Sequence, residues 1–391
     1  MQEEYQKWIT EISNWDTHIK EIKTSEYLSD DQKTQVMGGF NKIREIFGEK
    51  WLREVGPERK HPLLHFMINL APWTRFKLAD FGNKLAEAKD VKNFDALKCK
   101  LMLATGYHAA EAELAVLILL KRAGFEVEML DESERRTADI LAKIDGKEFY
   151  FEVTAMMQAQ DWDDAAETFN KLTLALFSDR EIEFAGKVYK ALSNPRIEEL
   201  CEKLKTATKK AKTEKKLVEV SEPGAIDFLI APKGAHDELQ KWIQSKNLRE
   251  GIEGPDVYVD ELKRIKRAIR DKIVQIHEDK PGVIVIFDSN LEMSSLVHQA
   301  QARQVVYHVE EEVYKHPNLL GVAIISSLRD FRDLEKSSEI IEEKNFFFLS
   351  KTSYGSLFYH ILVIKNMYSI FGGQMGVLDV FKTFEKMRGE N

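Results

Sequence analysis

Val283-Ile284-Val285-Ile286-Phe287 is an unbroken apolar run, and it constrains the fold of this chain more than any other stretch. Successive side chains of a strand point to opposite faces, so a strand of this kind must be covered on both sides. Parallel strands sandwiched between helices meet that demand. The run follows a helical segment, DELKRIKRAIRDKIVQI, across the turn Pro281-Gly282, which makes a helix-to-strand crossover. VVYHVEEEVYK leading into GVAIIS (Gly321 to Ser326) repeats the theme, and FFFLS and YHILVI supply further apolar stretches. The expected fold class is α/β, a mixed sheet core flanked by helices.

Residues 1–105 read differently. Apolar residues there recur at helical spacing, as in Phe40, Ile43, Ile46 and Phe47 followed by Trp51 and Leu52, and β-branched runs are scarce. Breaks fall at Gly56-Pro57 and at Pro72, because proline lacks an amide donor and restrains the residue before it. An all-helical N-terminal region is expected. From Tyr107 a long amphipathic helix, HAAEAELAVLILLKRA, runs to Gly124, a residue type that caps helix ends. Strands are expected at Phe125 to Asp131 and Ala138 to Asp145, with KEFYFEVTAM returning beyond the hairpin pair Asp145-Gly146. The lysine-rich stretch near 196–220 reads as a helical insertion, and AIDFLIAP (Ala225 to Pro232) as a buried strand. The expected organisation is therefore a helical part, 1–105, and an α/β part, 106–391, in keeping with ~100–200 residues per domain.

Several function classes are disfavoured by composition. A net charge of −8 is not that of a protein that coats polyanions without selectivity, which needs clustered Lys and Arg. The N-terminal MQEEYQKWITEISNW has neither the basic nor the apolar segment of a secretory signal, and LAVLILL is far short of the ~20 residues of a membrane helix. Cys99 and Cys201 form no metal or redox motif, so a reducing, cytoplasmic setting without a membrane is expected. His61 and His65 stand four apart but have no further ligand in company, GGQMG near Gly372 lacks the Lys-Ser or Lys-Thr of a phosphate loop, and Ser353 and Ser356 lack a nucleophile elbow.

The hairpin holds the residues with chemical potential. Pairing about Asp145-Gly146 brings Asp139 opposite the neighbourhood of Glu152 and Val153, while Glu152 and Thr154 share a face. Two carboxylates so close repel unless a cation sits between them, and a hard, oxygen-preferring ion such as Mg²⁺ or Mn²⁺ suits the pair. Such an ion acidifies a bound water and steadies charge on a leaving oxygen, the chemistry of phosphodiester hydrolysis.

Glu113, Gly124-Phe125-Glu126-Val127, Thr137-Ala138-Asp139-Ile140 and Tyr150-Phe151-Glu152-Val153-Thr154 together resemble the PD-(D/E)xK restriction-endonuclease-like superfamily. The run from Lys272-Ile273-Val274-Gln275 to Pro281-Gly282-Val283 resembles its helix-to-strand continuation. The resemblance implies a restriction-endonuclease-like mixed sheet and a Mg²⁺- or Mn²⁺-dependent endonuclease. It makes Glu113 the helix acid, with Glu111 a rival, Asp139 and Glu152 the metal acids, and Val153 a carbonyl ligand. Ala138 stands where the family has proline, and Thr154 where it has lysine. A hydroxyl cannot supply the lysine's charge; the expected substitute is Lys143, which could send an ammonium in from the neighbouring strand, or Gln158 or Gln160 after the Glu152 strand, which could orient water without a charge.

Two basic clusters fit contacts to a nucleic-acid backbone: Lys209, Lys210 and Lys212 in the lysine-rich stretch, and Lys266, Arg267 and Arg270 in the segment before Pro281. DNA is the expected nucleic acid, and pairing as a homodimer is what the resemblance implies. The alternative is a degenerate nuclease fold that binds nucleic acid or a protein partner without cutting.

Overall fold

The computed structural model describes residues 2–130, 137–156, 160–177, 181–248, 251–255, 260–288, 299–328, 339–354 and 357–387. The helices are α1 (Gln2–Ile12), α2 (Trp15–Thr24), α3 (Asp30–Phe47), α4 (Trp51–Val55), α5 (Pro62–Ile68), α6 (Pro72–Ala88), α7 (Phe94–Leu101), α8 (Tyr107–Arg122), α9 (Gln160–Phe177), α10 (Asn194–Glu214), α11 (His236–Ser245), α12 (Glu261–Ile273) and α13 (Gln299–Tyr314). The strands are β1 (Glu126–Met129), β2 (Ile140–Ile144), β3 (Lys147–Met156), β4 (Ile182–Val188), β5 (Val218–Glu222), β6 (Ile226–Pro232), β7 (Ile252–Glu253), β8 (Gly282–Asp288), β9 (Leu319–Leu328), β10 (Glu339–Glu342), β11 (Phe346–Tyr354) and β12 (Leu357–Lys365).

Two units result, residues 1–157 with 261–391, and residues 158–260. The expected border at 105/106 falls inside the first unit. Its physical reason is a shared core: Phe40, Leu85 and Leu101 of the N-terminal helices belong to one buried cluster with Leu117 of α8 and with Phe151, Val283 and Val285 of the sheet. The N-terminal helices bury their apolar faces partly against α8 rather than only against one another.

In the first unit the sheet runs β1-β2-β3-β8-β9-β12-β11-β10. β3, β8 and β9 are parallel neighbours, and the flanking pairs are antiparallel. This is a mixed α/β sheet with an N-terminal helical region, as expected. Val283 and Val285 face the cluster shared with α8, whereas Ile284 and Ile286 face α12 and α13 through Ile265, Ile269, Val305 and Val309. The apolar run is thus covered on both sides, the demand from which its assignment started.

α3 and α6 meet backbone to backbone. A methyl group added at Gly39 would overlap the Ala79 backbone, and one at Gly82 would overlap the Gly39 carbonyl oxygen. Gly39→Val is therefore expected to cost about 1–3 kcal/mol or more by overpacking, read as a lower urea midpoint. An unchanged midpoint would mean that the two helices do not cross there.

The second unit is α/β as well. Its sheet runs β5-β6-β4-β7, and α10 lays Ile197, Leu200, Leu204 and Ala211 against Ile226, Phe228 and Ile230. The stretch expected as a helical insertion is therefore one helix of a larger unit with its own core. Its strands IEFAGKV and VEVSE are short and mixed in polarity, and so give little strand signal in the sequence.

Candidate active site

Local backbone chemistry brings Asp139 to β3. α8 ends with Gly124 at φ 90°. The Phe125 amide donates to the Leu120 carbonyl (3.1 Å) and the Gly124 amide to that of Lys121 (3.0 Å), the paired bonds of a glycine-terminated helix. β1 then pairs with β2, which turns into β3 through Asp145 and Gly146, both left-handed at φ 50° and 73°. Such a turn matches the strand twist and fixes register, here from Ile144 opposite Lys147 to Ile140 opposite Phe151. One residue outside the last pair, Asp139 donates its amide to Phe151 O (3.1 Å) and accepts from Leu130 N at its carbonyl (2.9 Å). Its Oδ2 accepts from the Val153 amide at 2.7 Å.

Glu152 points the other way from Phe151 and Val153, which pack into the cluster shared with α8. It meets α12, where Lys272 Nζ donates to Glu152 Oε1 at 2.7 Å. Glu152 is 2% exposed, Asp139 8% and Glu113 4%. None of the three is therefore a carboxylate solvated at a strand end or on a helix surface. Buried carboxylates need compensation. Among the described residues Glu152 Oε2 has no hydrogen-bond partner, so one buried lone-pair set is left for something else.

Burial and the neighbouring Asp139 push the Glu152 carboxyl up to about 8, against the pull of Lys272, and Glu113 adds to the rise. Burial acts to lower the Lys272 ammonium, but Glu152, with Asp139 and Glu113, outweighs it and holds the pKa above its ordinary value. Both shifts have one meaning: the pocket keeps positive charge, as the Lys272 proton and as a proton on Glu152. A divalent cation at Oε2 would displace the latter.

Glu113 enters from α8, and Lys100 of α7 reaches both its oxygens at 3.2 Å. Its rival Glu111 pairs instead with Lys77 at 3.4 Å. Among the described residues no three His, Cys, Asp or Glu side chains converge as a ready metal cage. The oxygen donors of Asp139 and Glu152 nevertheless fit a Mg²⁺-like ion, which is commonly held by one or two carboxylates and keeps several waters.

The other expected site residues are placed as follows. Thr154 lies two residues beyond Glu152 on the same strand, half-buried and uncharged. Lys143 does not join the cluster: it sits opposite Glu148 near the hairpin turn and pairs with it at 3.1 Å. Its four residues along β2 from Asp139 amount to ~13 Å of strand. Gln158 lies outside the described residues. Val153 contributes its amide to Asp139. The cation beside Glu152 is Lys272, which the sequence placed at the start of the helix-to-strand run without a role in the site. An alternating basic and apolar helix gives no sign of which lysine faces a strand far away in sequence.

On α12, Ile265, Ile269 and Ile273 are buried, Lys266 is half-buried, and Arg267 and Arg270 are exposed. Arg267 pairs with Asp271 at 3.4 Å and Arg270 approaches Glu312 at 4.0 Å. In the second unit Lys209, Lys210 and Lys212 lie on the exposed side of α10, with Lys212 paired to Glu181 at 2.7 Å. His61 and His65 are no zinc pair. His61 Nδ1 accepts from Leu63 N (3.2 Å), so Nε2 donates to Leu101 O (3.0 Å), and burial pushes its pKa to about 4.

No helix among the described residues is long and apolar enough to cross a membrane. No protein-family model, curated protein or solved structure matches this chain.

Proposed function

We propose that this chain is a metal-dependent nuclease, hydrolysing phosphodiester bonds of nucleic acid at the cluster Asp139, Glu152 and Lys272. The observation that carries the reading is the Oε2 of buried Glu152, unpartnered among the described residues and beside Asp139, with an ammonium on its other oxygen. That combination suits a site for a cation and a phosphate together. The residue pattern around it resembles the PD-(D/E)xK superfamily, and Lys272 supplies the charge that Thr154 cannot.

Asp139, fixed by the Val153 amide, and Glu152 would hold Mg²⁺ or Mn²⁺. The bound ion would acidify a water and neutralise charge on the phosphate. Lys272 would donate to a phosphate oxygen or orient the attacking water, in a pocket where burial strengthens each electrostatic contact. Lys266, Arg267 and Arg270, on the helix that carries Lys272, would meet the backbone of the substrate, for which DNA is our first choice.

The test is incubation of the purified chain with plasmid, linear duplex, single-stranded DNA and RNA, with Mg²⁺ or Mn²⁺ and with a chelator. Cleavage that needs the metal is expected. No cleavage of any substrate, together with salt-sensitive binding, would favour a binding module on the same fold. Cleavage untouched by chelator would end the metal proposal.

A further inference from the structure

We infer that two copies of this chain join through the second unit, β5 pairing antiparallel with the same strand of the second copy and α10 packing on the same helix. This surface belongs to the unit that lacks the Glu152 cluster, so it stands or falls separately from the nuclease reading.

A sheet edge carries a row of backbone donors and acceptors, and proteins that stay apart blunt it. Of the four sheet ends among the described residues, three are blunted. At β1, Lys92 bridges to Glu128, and its carbonyl accepts from Met129 N at 3.2 Å. β7 is only two residues long. β10, laid antiparallel on a copy of itself, would oppose Glu339 to Glu342, and like charges directly opposite destabilise a strand pair. β5 carries none of these devices. It ends its sheet, with β6 as its one strand neighbour among the described residues. Turned onto itself about Val220, it sets Val218 opposite Glu222 and Glu219 opposite Ser221, so no like charges face each other. Exposed Leu217 then comes opposite exposed Pro223, just outside the strand.

The helix obeys the same two-fold axis. α10 packs over β5 and β6 alike. Neighbouring strands lie ~4.8 Å apart, so a helix centred between β5 and β6 would stand ~10 Å from its two-fold mate, the ordinary spacing of packed helices. On that side α10 is open: Glu199, Glu202, Thr206, Ala207 and Lys210 line a groove with Val218 of β5. Thr206 and Ala207 are small enough to let two helices approach. Charge is graded along α10, with Glu198, Glu199 and Glu202 in its first half and Lys209 and Lys210 in its second. Antiparallel copies therefore bring acids to lysines on both sides of the axis, as a self-complementary interface requires. Glu199 and Glu202 now pair with Arg196, Lys203 and Lys205 of their own helix, and such exposed pairs exchange partners at little cost.

The experiment is sedimentation equilibrium of the full chain over a wide range of concentration. The wild type is expected at twice the chain mass. Thr206→Arg, a surface change that puts bulk and like charge near the axis, should raise the dimer Kd by about tenfold or more. Glu199→Lys with Glu202→Lys should do the same, and adding Lys209→Glu with Lys210→Glu should restore the dimer, because the reversed pattern is again self-complementary. A wild type that stays at the chain mass would overturn the inference and leave the groove to an extended peptide of another protein. A dimer indifferent to Thr206→Arg and to the charge changes would put the interface elsewhere and overturn it equally. Should Thr206→Arg fail to fold, judged by circular dichroism, the loss and restoration across the charge variants decide.

Discussion

Lys272→Met lowers metal-dependent cleavage by about 10²–10³-fold, the usual loss when one preorganised donor to a developing charge is removed, while Mn²⁺ still binds. The reason is the division of labour around Glu152. Its Oε1 is occupied by Lys272 and its Oε2 is left open, so the ammonium is not needed to hold an ion. It repels one, and its removal should leave Mn²⁺ affinity unchanged or tighter. Asp139→Ala is the contrast: it removes a metal acid, and both binding and cleavage should go. Lys272→Arg should recover part of the rate, since the charge returns with a different shape. Equal cleavage by Lys272→Met and the wild type would show that the ammonium takes no part in the chemistry. Loss of Mn²⁺ binding in that variant would show that it only builds the pocket.

The second large effect is on stability. Glu152 has an ordinary pKa of 4.5 and is pushed to about 8 in the fold by burial and by Asp139. Between those values the folded protein keeps a proton that the unfolded chain has released. The sign follows: this stabilising contribution is whole below pH 4.5, falls as pH rises, and is gone above about 8, with a slope of up to about 1.4 kcal/mol per pH unit. Glu152→Gln keeps the shape and cannot ionise. In chelator, its melting temperature relative to the wild type should rise from pH 5 to about pH 8 and level off above it. Asp139, Glu113 and Lys272 face the same carboxyl, so the difference reads Glu152 together with its coupling to them. Saturating Mn²⁺ should remove much of the gap by stabilising the wild-type anion. A gap that stays flat with pH would mean that Glu152 ionises as freely as an exposed acid.

How much of this was legible beforehand depends on the reach of each signal. Gly124 and the Asp145-Gly146 turn act over a few residues, and both took the left-handed backbone expected of them. The hairpin register that brings Asp139 to Glu152 follows from that turn. Lys143, chosen to replace the lysine absent at Thr154, was a choice by proximity along one hairpin, and its cross-strand partner Glu148 claimed it. Lys272 lies 120 residues from Glu152. Nothing in a basic amphipathic helix tells which of its lysines will be turned to a carboxylate rather than to water. The border at 105/106 marked a real change from helices to strands, but a change of element type is not a break in the core.

By itself the sequence determined the elements whose causes are local or periodic: the double-sided apolar strand at 283–287, the helix ending at Gly124, the hairpin and its two acids. Only the tertiary structure decided how those acids are compensated. Lys272 arrives with α12 and Lys100 with α7, each placed by burial of isoleucines and leucines elsewhere on its helix. Hydrophobic packing is non-directional and sums over many residues, so the partner of a buried charge is fixed by the whole core and is not written in the residues next to it.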